Sequence, residues 1–250
     1  MTPMGSHVKH SSKRSASTGD ARRDRWSAHR LERRAELVDA ALRALAVHGP
    51  DLGMDDVANE AGVTKPVLYR HFTDKADLFL ALGKHGTGIL FERLIPAMNA
   101  EEAPVPRIRK ALDAFFSVIE EYPNLYRVLV RRSFLDRQVE DDPVTEDKEF
   151  IAAALTTLLG DYMRALNLDS GAAEPWAYGI VGMVQNVGDW WLERRSMSRD
   201  SVVEYLTQII WAAIDGLVRQ QGIVIDPHKP LELNKVVRLS AAGDKAADAG

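Results

Sequence analysis

The chain of 250 residues contains no cysteine, which excludes disulfide bonds, thiolate metal sites and cysteine nucleophiles. It also lacks a long uncharged run. The longest, residues 175–188, is too short to cross a bilayer, which takes about 20 apolar residues. The basic N-terminus has no apolar signal core, so secretion is not indicated. We therefore expect a cytoplasmic protein with no membrane partner, and 46% hydrophobic residues are enough to bury a large core.

Catalytic and cofactor motifs are missing as well. There is no Ser/His/Asp order, no paired-carboxylate site, no phosphate-binding glycine loop and no HExxH helix. The 7 histidines are scattered and form no ligand cluster. The sequence therefore predicts no catalytic residue, no metal site and no cofactor, and an enzyme is the least favoured class of function.

Negative charge prevails over the whole chain, but positive charge is concentrated at its start. The net charge is −4, whereas residues 1–34 carry nine Lys and Arg against three acidic residues. An anionic partner at the N-terminal end explains this asymmetry, and a solvated tail explains it equally well. Residues 1–25 have almost no large apolar side chains, so we predict a disordered basic arm that leads into a helix over about 28–48.

The stretch from Gly53 to Lys75, GMDDVANEAGVTKPVLYRHFTDK, contains two short helical patterns separated by a turn. Gly62 permits the positive φ that a helix end or tight turn needs. Thr64 is suited to cap the second helix, and Pro66 lies in its first turn, where a missing N–H costs little. This order predicts a helix-turn-helix within a three-helix domain over residues 26–75.

The remainder of the chain shows helical periodicity, so the predicted fold class is all-α. We predict a helical domain over 76–222 that starts with a connecting helix over 76–99, and then a partly disordered C-terminal extension over 223–250. Two helices, over 173–195 and 200–221, are apolar around most of their circumference. They suit an oligomer interface formed by two helix pairs, and equally the core of a monomer.

The segment DDVANEAGVTKPVLYRHFTDKADLF has AGV, Thr-Lys, LYRHF and a following lysine in fixed register. It resembles the DNA-binding signature of the TetR family of bacterial transcriptional regulators. The resemblance covers the basic arm and roughly residues 30–80, and the second half has the length of that family's ligand-binding and dimerisation domain. It implies a TetR-like homodimer that reads a palindromic operator in double-stranded DNA, with its two recognition helices about 34–36 Å apart.

The resemblance also implies which residues contact DNA. Lys65 falls where the family reads base edges and is able to donate to guanine O6 and N7, while Val67 is able to touch a thymine methyl group. Tyr69, His71 and Lys75 fall where the family binds phosphates. The expected DNA contacts are Arg33, Arg34, Thr64, Lys65, Pro66, Val67, Tyr69, Arg70, His71 and Lys75.

One position departs from the family pattern. Many members have a threonine that caps the first helix of the motif and binds phosphate, whereas this chain has Gly53. Glycine still caps acceptably, but the hydroxyl contact is lost. We expect Arg33 and Arg34 to supply the missing phosphate contact.

Aromatic and apolar residues of the second half are candidates for the wall of a ligand cavity, although a filled core explains the same pattern. An occupant would be largely apolar. The resemblance extends to actinobacterial regulators of lipid metabolism, so a fatty acyl-CoA or a similar amphiphile is one expectation, with Arg131 or Arg132 either at its anionic group or on the surface. The predicted wall residues are Phe115, Phe116, Ile119, Tyr126, Val130, Phe134, Tyr162, Trp176, Met183, Asn186 and Trp190.

The sequence thus favours a DNA-binding transcriptional regulator, and in particular a repressor that an apolar small molecule releases from its operator. An activator or architectural protein without an effector has the same DNA-binding motif and stays an alternative. The two differ in whether the second half encloses a cavity and whether a ligand changes DNA binding.

Overall fold

In a computed structural model of the chain, the structure describes residues 16–128, 143–231 and 237–238. These residues are almost entirely helical, which confirms the predicted all-α fold. Two short strands follow the last helix and pair antiparallel. The elements are α1 (Ala16–His48), α2 (Met54–Glu60), α3 (Lys65–Leu68), α4 (Lys75–Met98), α5 (Pro104–Glu121), α6 (described over 123–128), α7 (Pro143–Ala165), α8 (Ala173–Arg194), α9 (Arg199–Gln220), β1 (Ile223–Val224) and β2 (Val237–Arg238).

Helix α1 begins at Ala16, so residues 16–25, which the sequence prediction assigned to a disordered arm, are helical. Residues 16–25 contain one glycine, Gly19, and no proline, and from Ala21 onward the segment ARRDRWSAHRLERR is rich in Arg, a good helix former. The guanidinium of Arg30 lies 6.0 Å from the ring centroid of Trp26, one turn earlier on the helix. Residues 1–15 lie outside the described part of the chain, and disorder there stays a prediction.

The first three helices and the start of α4 pack around one apolar core. Leu125 and Val128 of α6 join this core, so it extends to the second half of the chain. Helix α4 is capped by Asp74, the residue before its first turn, whose carboxylate accepts the N–H of Asp77 at 2.8 Å. The most deeply buried members of the core are Leu37, Ala41, Leu45, Leu52, Val57, Leu68, Phe72, Leu78 and Leu82.

Helix α4 connects the two halves of the molecule. Its first turns belong to the N-terminal core, and its later turns pack against α5 and α7. Helices α5, α8 and α9 share a second core, in which Phe116 and Trp191 meet edge to face at 5.5 Å. The segment after α9 packs against α7 and α9 through Ile223 and Ile225, which are both buried.

Candidate DNA-binding surface and effector cavity

Helices α2 and α3 form a helix-turn-helix whose turn depends on Gly62. Its φ of 64° lies in the left-handed region, which glycine adopts without steric cost. Thr64 has an extended backbone, and its carbonyl accepts the N–H groups of Val67 at 2.9 Å and Leu68 at 3.2 Å. Its hydroxyl makes no capping hydrogen bond, contrary to the predicted side-chain cap. That hydroxyl is therefore available to a phosphate oxygen.

The buried side of the motif sets the orientation of its exposed side. Leu68 and Phe72 are completely buried in the N-terminal core and anchor α3 against α1 and α2. The side chain of Tyr69 is 45% exposed, so it is not a core aromatic. Six of the predicted DNA contacts are exposed, namely Thr64, Lys65, Pro66, Tyr69, Arg70 and Lys75, while Val67 and His71 are half-buried beside them.

The predicted base-reading lysine is engaged by an acid of the same motif. The ammonium of Lys65 donates to a carboxylate oxygen of Asp55 on α2 at 2.9 Å. This hydrogen bond and the negative charge of Asp55 raise the pKa of Lys65, so it stays protonated. Both side chains are exposed, so the pair is weak and opens at little cost.

We expect Asp55→Asn to strengthen binding to random-sequence duplex DNA by about 2- to 5-fold, because it frees Lys65 and removes a charge that repels phosphate. Fluorescence anisotropy at fixed salt measures this gain. Glu60→Gln is the matched control, because Glu60 is at the other end of α2 and pairs with Arg43 at 2.8 Å. An equal gain in both variants would show a general charge effect and contradict a specific restraint on Lys65.

Arg34 makes internal contacts rather than projecting toward DNA. Its guanidinium donates to the carbonyl oxygen of His71 and to the Asp77 carboxylate, the latter at 2.6 Å, and lies 4.3 Å from the ring centroid of Phe72. The hydrogen bond from Arg34 to the Asp77 carboxylate holds the pKa of Asp77 below its usual range. Arg34 thus joins α1 to α4 and to the end of the recognition segment, which comprises residues 65–72. These internal contacts differ from the phosphate contact that the sequence predicted for Arg34. Arg33, by contrast, pairs only with Glu36 on the α1 surface, at 2.5 Å, among the described residues.

We expect Arg34→Met to lower the unfolding free energy by about 1–2 kcal/mol, since its charge-assisted contacts are partly exposed, while the slope of log K against log salt stays unchanged. Arg33→Met should leave stability unchanged and reduce that slope by about 0.9, the value for one phosphate contact. Denaturant unfolding and salt-dependent DNA titration measure the two quantities. A reduced slope for Arg34→Met with unchanged stability would reverse this assignment.

Positive charge collects around the end of the recognition segment. Burial, together with the charges of Arg33, Arg30 and Arg34, lowers the pKa of His71, so this side chain loses its proton at a lower pH than an ordinary histidine. Lys75 is the first residue of α4, at the positive end of the helix dipole.

At Gly53, the backbone N–H donates to the Asp56 carboxylate at 2.8 Å, so α2 is capped without the hydroxyl that the resemblance leads one to expect.

The second half of the chain encloses a cavity of about 310 Å³ between α4, α5, α7, α8 and α9. This volume lies at the lower end of the range of about 300–1,000 Å³ for small-molecule sites. The lining is overwhelmingly apolar. Five of the predicted wall residues line it, namely Phe115, Ile119, Tyr126, Tyr162 and Trp176.

Four of the predicted wall residues do not line the cavity. Phe115 faces the cavity, and the next residue of a helix points about 100° away from it. Phe116 therefore points away from the cavity and is completely buried against Trp191. Met183 packs at the margin of the second core. Asn186 is exposed and donates to the carbonyl of Gly182 at 2.9 Å, and Trp190 lies at the surface. The predictions at Val130 and Phe134, and at Arg131 and Arg132, lie outside the described residues.

The sequence prediction missed several wall residues. Helix α7 supplies Leu155, Leu158 and Leu159, whose spacing is typical of an apolar helix face and could have been recognised. The segment after α9 supplies Ile225 and Leu231, for which no local pattern gives a signal. Other missed residues are Leu90, Leu94, Arg107, Ile108, Ile151, Trp211, Ile214 and Val218.

Helices α8 and α9 leave large apolar side chains on the surface. Tyr205 is 60% exposed and Ile209 is 55% exposed on α9, and Tyr178 and Trp190 are exposed on α8. By length and composition α9 is also long and apolar enough to cross a membrane. Its most apolar 18 residues have a mean hydropathy of 1.3, and 33% of them are buried. One such helix in the described part of the chain is weak evidence for a membrane span, because core helices of soluble proteins meet the same criterion.

The helix-turn-helix exposes basic and polar side chains, and one long helix joins it to a helical domain with an apolar cavity. This combination defines a class of protein, the DNA-binding transcriptional regulators. Residues 37–82 match the family model described as bacterial regulatory proteins, tetR family. Residues 93–222 match the tetracyclin repressor-like C-terminal domain. The chain therefore belongs to the TetR family, and it is a regulator of transcription rather than an enzyme.

Relatives and solved structures agree with this assignment. An uncharacterized HTH-type transcriptional regulator of Mycobacterium tuberculosis is 35% identical over 204 residues, 81% of this chain and 86% of the relative. The HTH-type transcriptional activator FasR of Mycolicibacterium smegmatis is 31% identical over 188 residues, 74% of this chain and 84% of the relative. The transcriptional regulator FadR from Bacillus subtilis, solved with stearoyl-CoA, has a TM-score of 0.53 at 17% identity, covering 70% of this chain and 96% of FadR. At that identity the likeness concerns the fold alone.

Proposed function

We propose that the protein is a homodimeric repressor that binds a palindromic operator and is released from it when an apolar, amphiphilic molecule enters the cavity. The observation that carries this proposal is the path of α4. Lys75 begins this helix at the DNA-binding surface, while Gly86, Thr87 and Leu90 of the same helix line the cavity. A ligand that repacks the cavity therefore acts on the helix that holds a DNA contact.

In the proposed complex, α3 enters the major groove. Lys65 leaves Asp55 and donates to a guanine, and Pro66 and Val67 contact neighbouring base edges and sugars. Thr64, Tyr69, Arg70, His71 and Lys75 hold phosphates on either side, and Arg33 adds a contact from α1.

The exposed apolar face of α8 and α9 supports a homodimer. A single copy leaves Tyr178, Trp190, Tyr205 and Ile209 in contact with water, and large exposed apolar residues on adjoining helices mark an interaction surface. A second copy related by a two-fold axis would cover the same face on both subunits as a four-helix interface. Two recognition helices would then meet half-sites about one DNA turn apart. Such a regulator acts in the cytoplasm, where bacterial DNA lies.

The apolar lining supports an effector with a long hydrocarbon part, and FadR from Bacillus subtilis, of similar fold, has been solved with stearoyl-CoA. The same cavity argues against an architectural protein without an effector. An activator remains the second candidate, because the relative FasR is named an activator. The two differ in whether the DNA-bound protein lowers or raises transcription from the promoter beside the operator.

Selection of bound sequences from random duplex DNA with the full chain tests the proposal. We expect a palindromic motif with half-sites centred about 10 base pairs apart, and Lys65→Ala should relax the preference at a guanine in each half-site. No enrichment, or enrichment of single half-sites only, would contradict a dimeric sequence-specific regulator. Thermal shift with long-chain acyl compounds tests the effector separately, and no stabilisation by any of them would remove this ligand class.

A further inference from the structure

The charged side chains that line the cavity are all positive. Arg107 of α5 and Lys148 of α7 are the charged members of the lining in the described part of the chain, and no Asp or Glu accompanies them there. A cation at the edge of apolar space is costly unless an opposite charge or hydrogen-bond partner compensates it. The imbalance therefore points to an anionic group on the occupant.

Arg107 is oriented but carries no counter-ion among the described residues. One of its N–H groups donates to the Tyr162 hydroxyl at 2.9 Å, and its guanidinium carbon lies 5.0 Å from the centroid of the Tyr162 ring. Two residues further on α5, Arg109 pairs with both Asp200 and Glu204. Among the described residues, Arg109 on the outer surface therefore has acidic partners, whereas Arg107 in the cavity wall has none.

Other polar groups of the wall are satisfied or neutral. The Tyr126 hydroxyl donates to Asp189 at 2.6 Å, and burial raises the pKa of this phenol, so it stays neutral. Gln185 is neutral. Lys148 carries charge on a flexible stem. The planar Arg107, by contrast, is held by Tyr162, and most of its five N–H groups have no partner among the described residues. They form a fork that matches two anionic oxygens.

We propose that the effector is a single-chain amphiphile whose anionic head group, a carboxylate or a phosphate, is bound by Arg107, with Tyr162 as its positioning residue and the alkyl chain in the apolar part of the cavity. This inference rests on the proposed ligand-responsive function and specifies its ligand. The head group forms charge-assisted hydrogen bonds with the guanidinium, and no bond is made or broken.

Titration calorimetry of the full chain with hexadecanoate, hexadecan-1-ol and hexadecanoyl-CoA, each below its micellar concentration, tests this assignment. The variants are Arg107→Met, Arg107→Lys and the control Lys148→Met, which removes the other lining cation. We expect Arg107→Met to weaken binding of the anionic ligand by about 10- to 100-fold, the usual loss for charge-assisted hydrogen bonds. Hexadecan-1-ol affinity should stay unchanged, Arg107→Lys should recover part of the loss, and Lys148→Met should weaken binding much less than Arg107→Met.

The three ligands separate the outcomes. Loss confined to hexadecanoate identifies a carboxylate at Arg107, and loss confined to hexadecanoyl-CoA identifies a phosphate. Equal loss for hexadecan-1-ol would show that Arg107 only supports the fold of the cavity, and loss in Lys148→Met instead would assign the head group to the other cation; either result overturns the inference while leaving an apolar effector intact. If the wild type binds none of the three, this effector class is excluded, and the inference falls with it.

Discussion

Replacing Ile209 by arginine is expected to leave the chain monomeric and to abolish measurable operator binding. Ile209 lies on the exposed apolar face of α8 and α9, next to Tyr205 one turn away. In a two-fold interface each substitution occurs twice, and a buried charge without a partner costs about 3–5 kcal/mol. That cost weakens dimerisation by more than 100-fold, since 1.4 kcal/mol corresponds to a factor of ten. Light scattering gives the oligomeric state, and anisotropy gives the DNA affinity.

Val47→Arg is the matched control, because Val47 is a 78% exposed apolar residue outside that face. It lies on the last turn of α1, where the carbonyls of Leu45 and Ala46 accept hydrogen bonds from Asn124. This variant should remain dimeric and bind DNA. A dimeric Ile209→Arg protein would place the subunit interface elsewhere.

Phe72→Ala is expected to unfold the DNA-binding region while leaving the effector cavity intact. Phe72 is completely buried among the N-terminal core residues and carries the stacked guanidinium of Arg34. Truncating a buried phenylalanine to alanine costs about 3–5 kcal/mol, which is a large part of the stability of a domain. Denaturant unfolding should show an early transition, and DNA binding should be lost.

Tyr69→Ala provides the contrast. Its side chain is 45% exposed, so removing it should change stability by less than about 1 kcal/mol, as for most surface substitutions. It should nevertheless weaken operator binding, because a phosphate contact is lost. If Phe72→Ala retained wild-type stability, or if Tyr69→Ala unfolded the domain, the division of residues 65–72 into a buried and a DNA-facing side would be wrong.

Local chemistry explains why the DNA-binding motif was predictable. Gly62 provides the left-handed turn and Asp74 caps α4, and both roles depend on residues only a few positions away. The all-α fold followed from periodicity for the same reason. The start of α1 was missed because residues 16–25 combine Ser, Thr, Gly and Asp, which favour turns and solvated chain, with Ala and Arg, which are good helix formers.

Contacts between distant segments were not predictable from such patterns. Arg34 meets Asp77 across 43 positions of sequence, and Arg107 meets Tyr162 across 55. Neither arginine differs in its local sequence from one that faces water. The cavity wall likewise combines faces from several helices with a C-terminal segment, so only the residues whose helix face was obvious, such as Phe115 and Ile119, were identified.

The most direct test of ligand-controlled DNA release is the operator affinity of the full chain with and without the bound amphiphile, measured on the duplex obtained by selection. We expect saturating ligand to weaken operator binding by about 5- to 150-fold, a coupling of about 1–3 kcal/mol, and the operator to weaken ligand binding by the same factor. An operator affinity that is unchanged at saturating ligand would contradict coupling through α4, and an increased affinity would contradict release of the operator by the ligand.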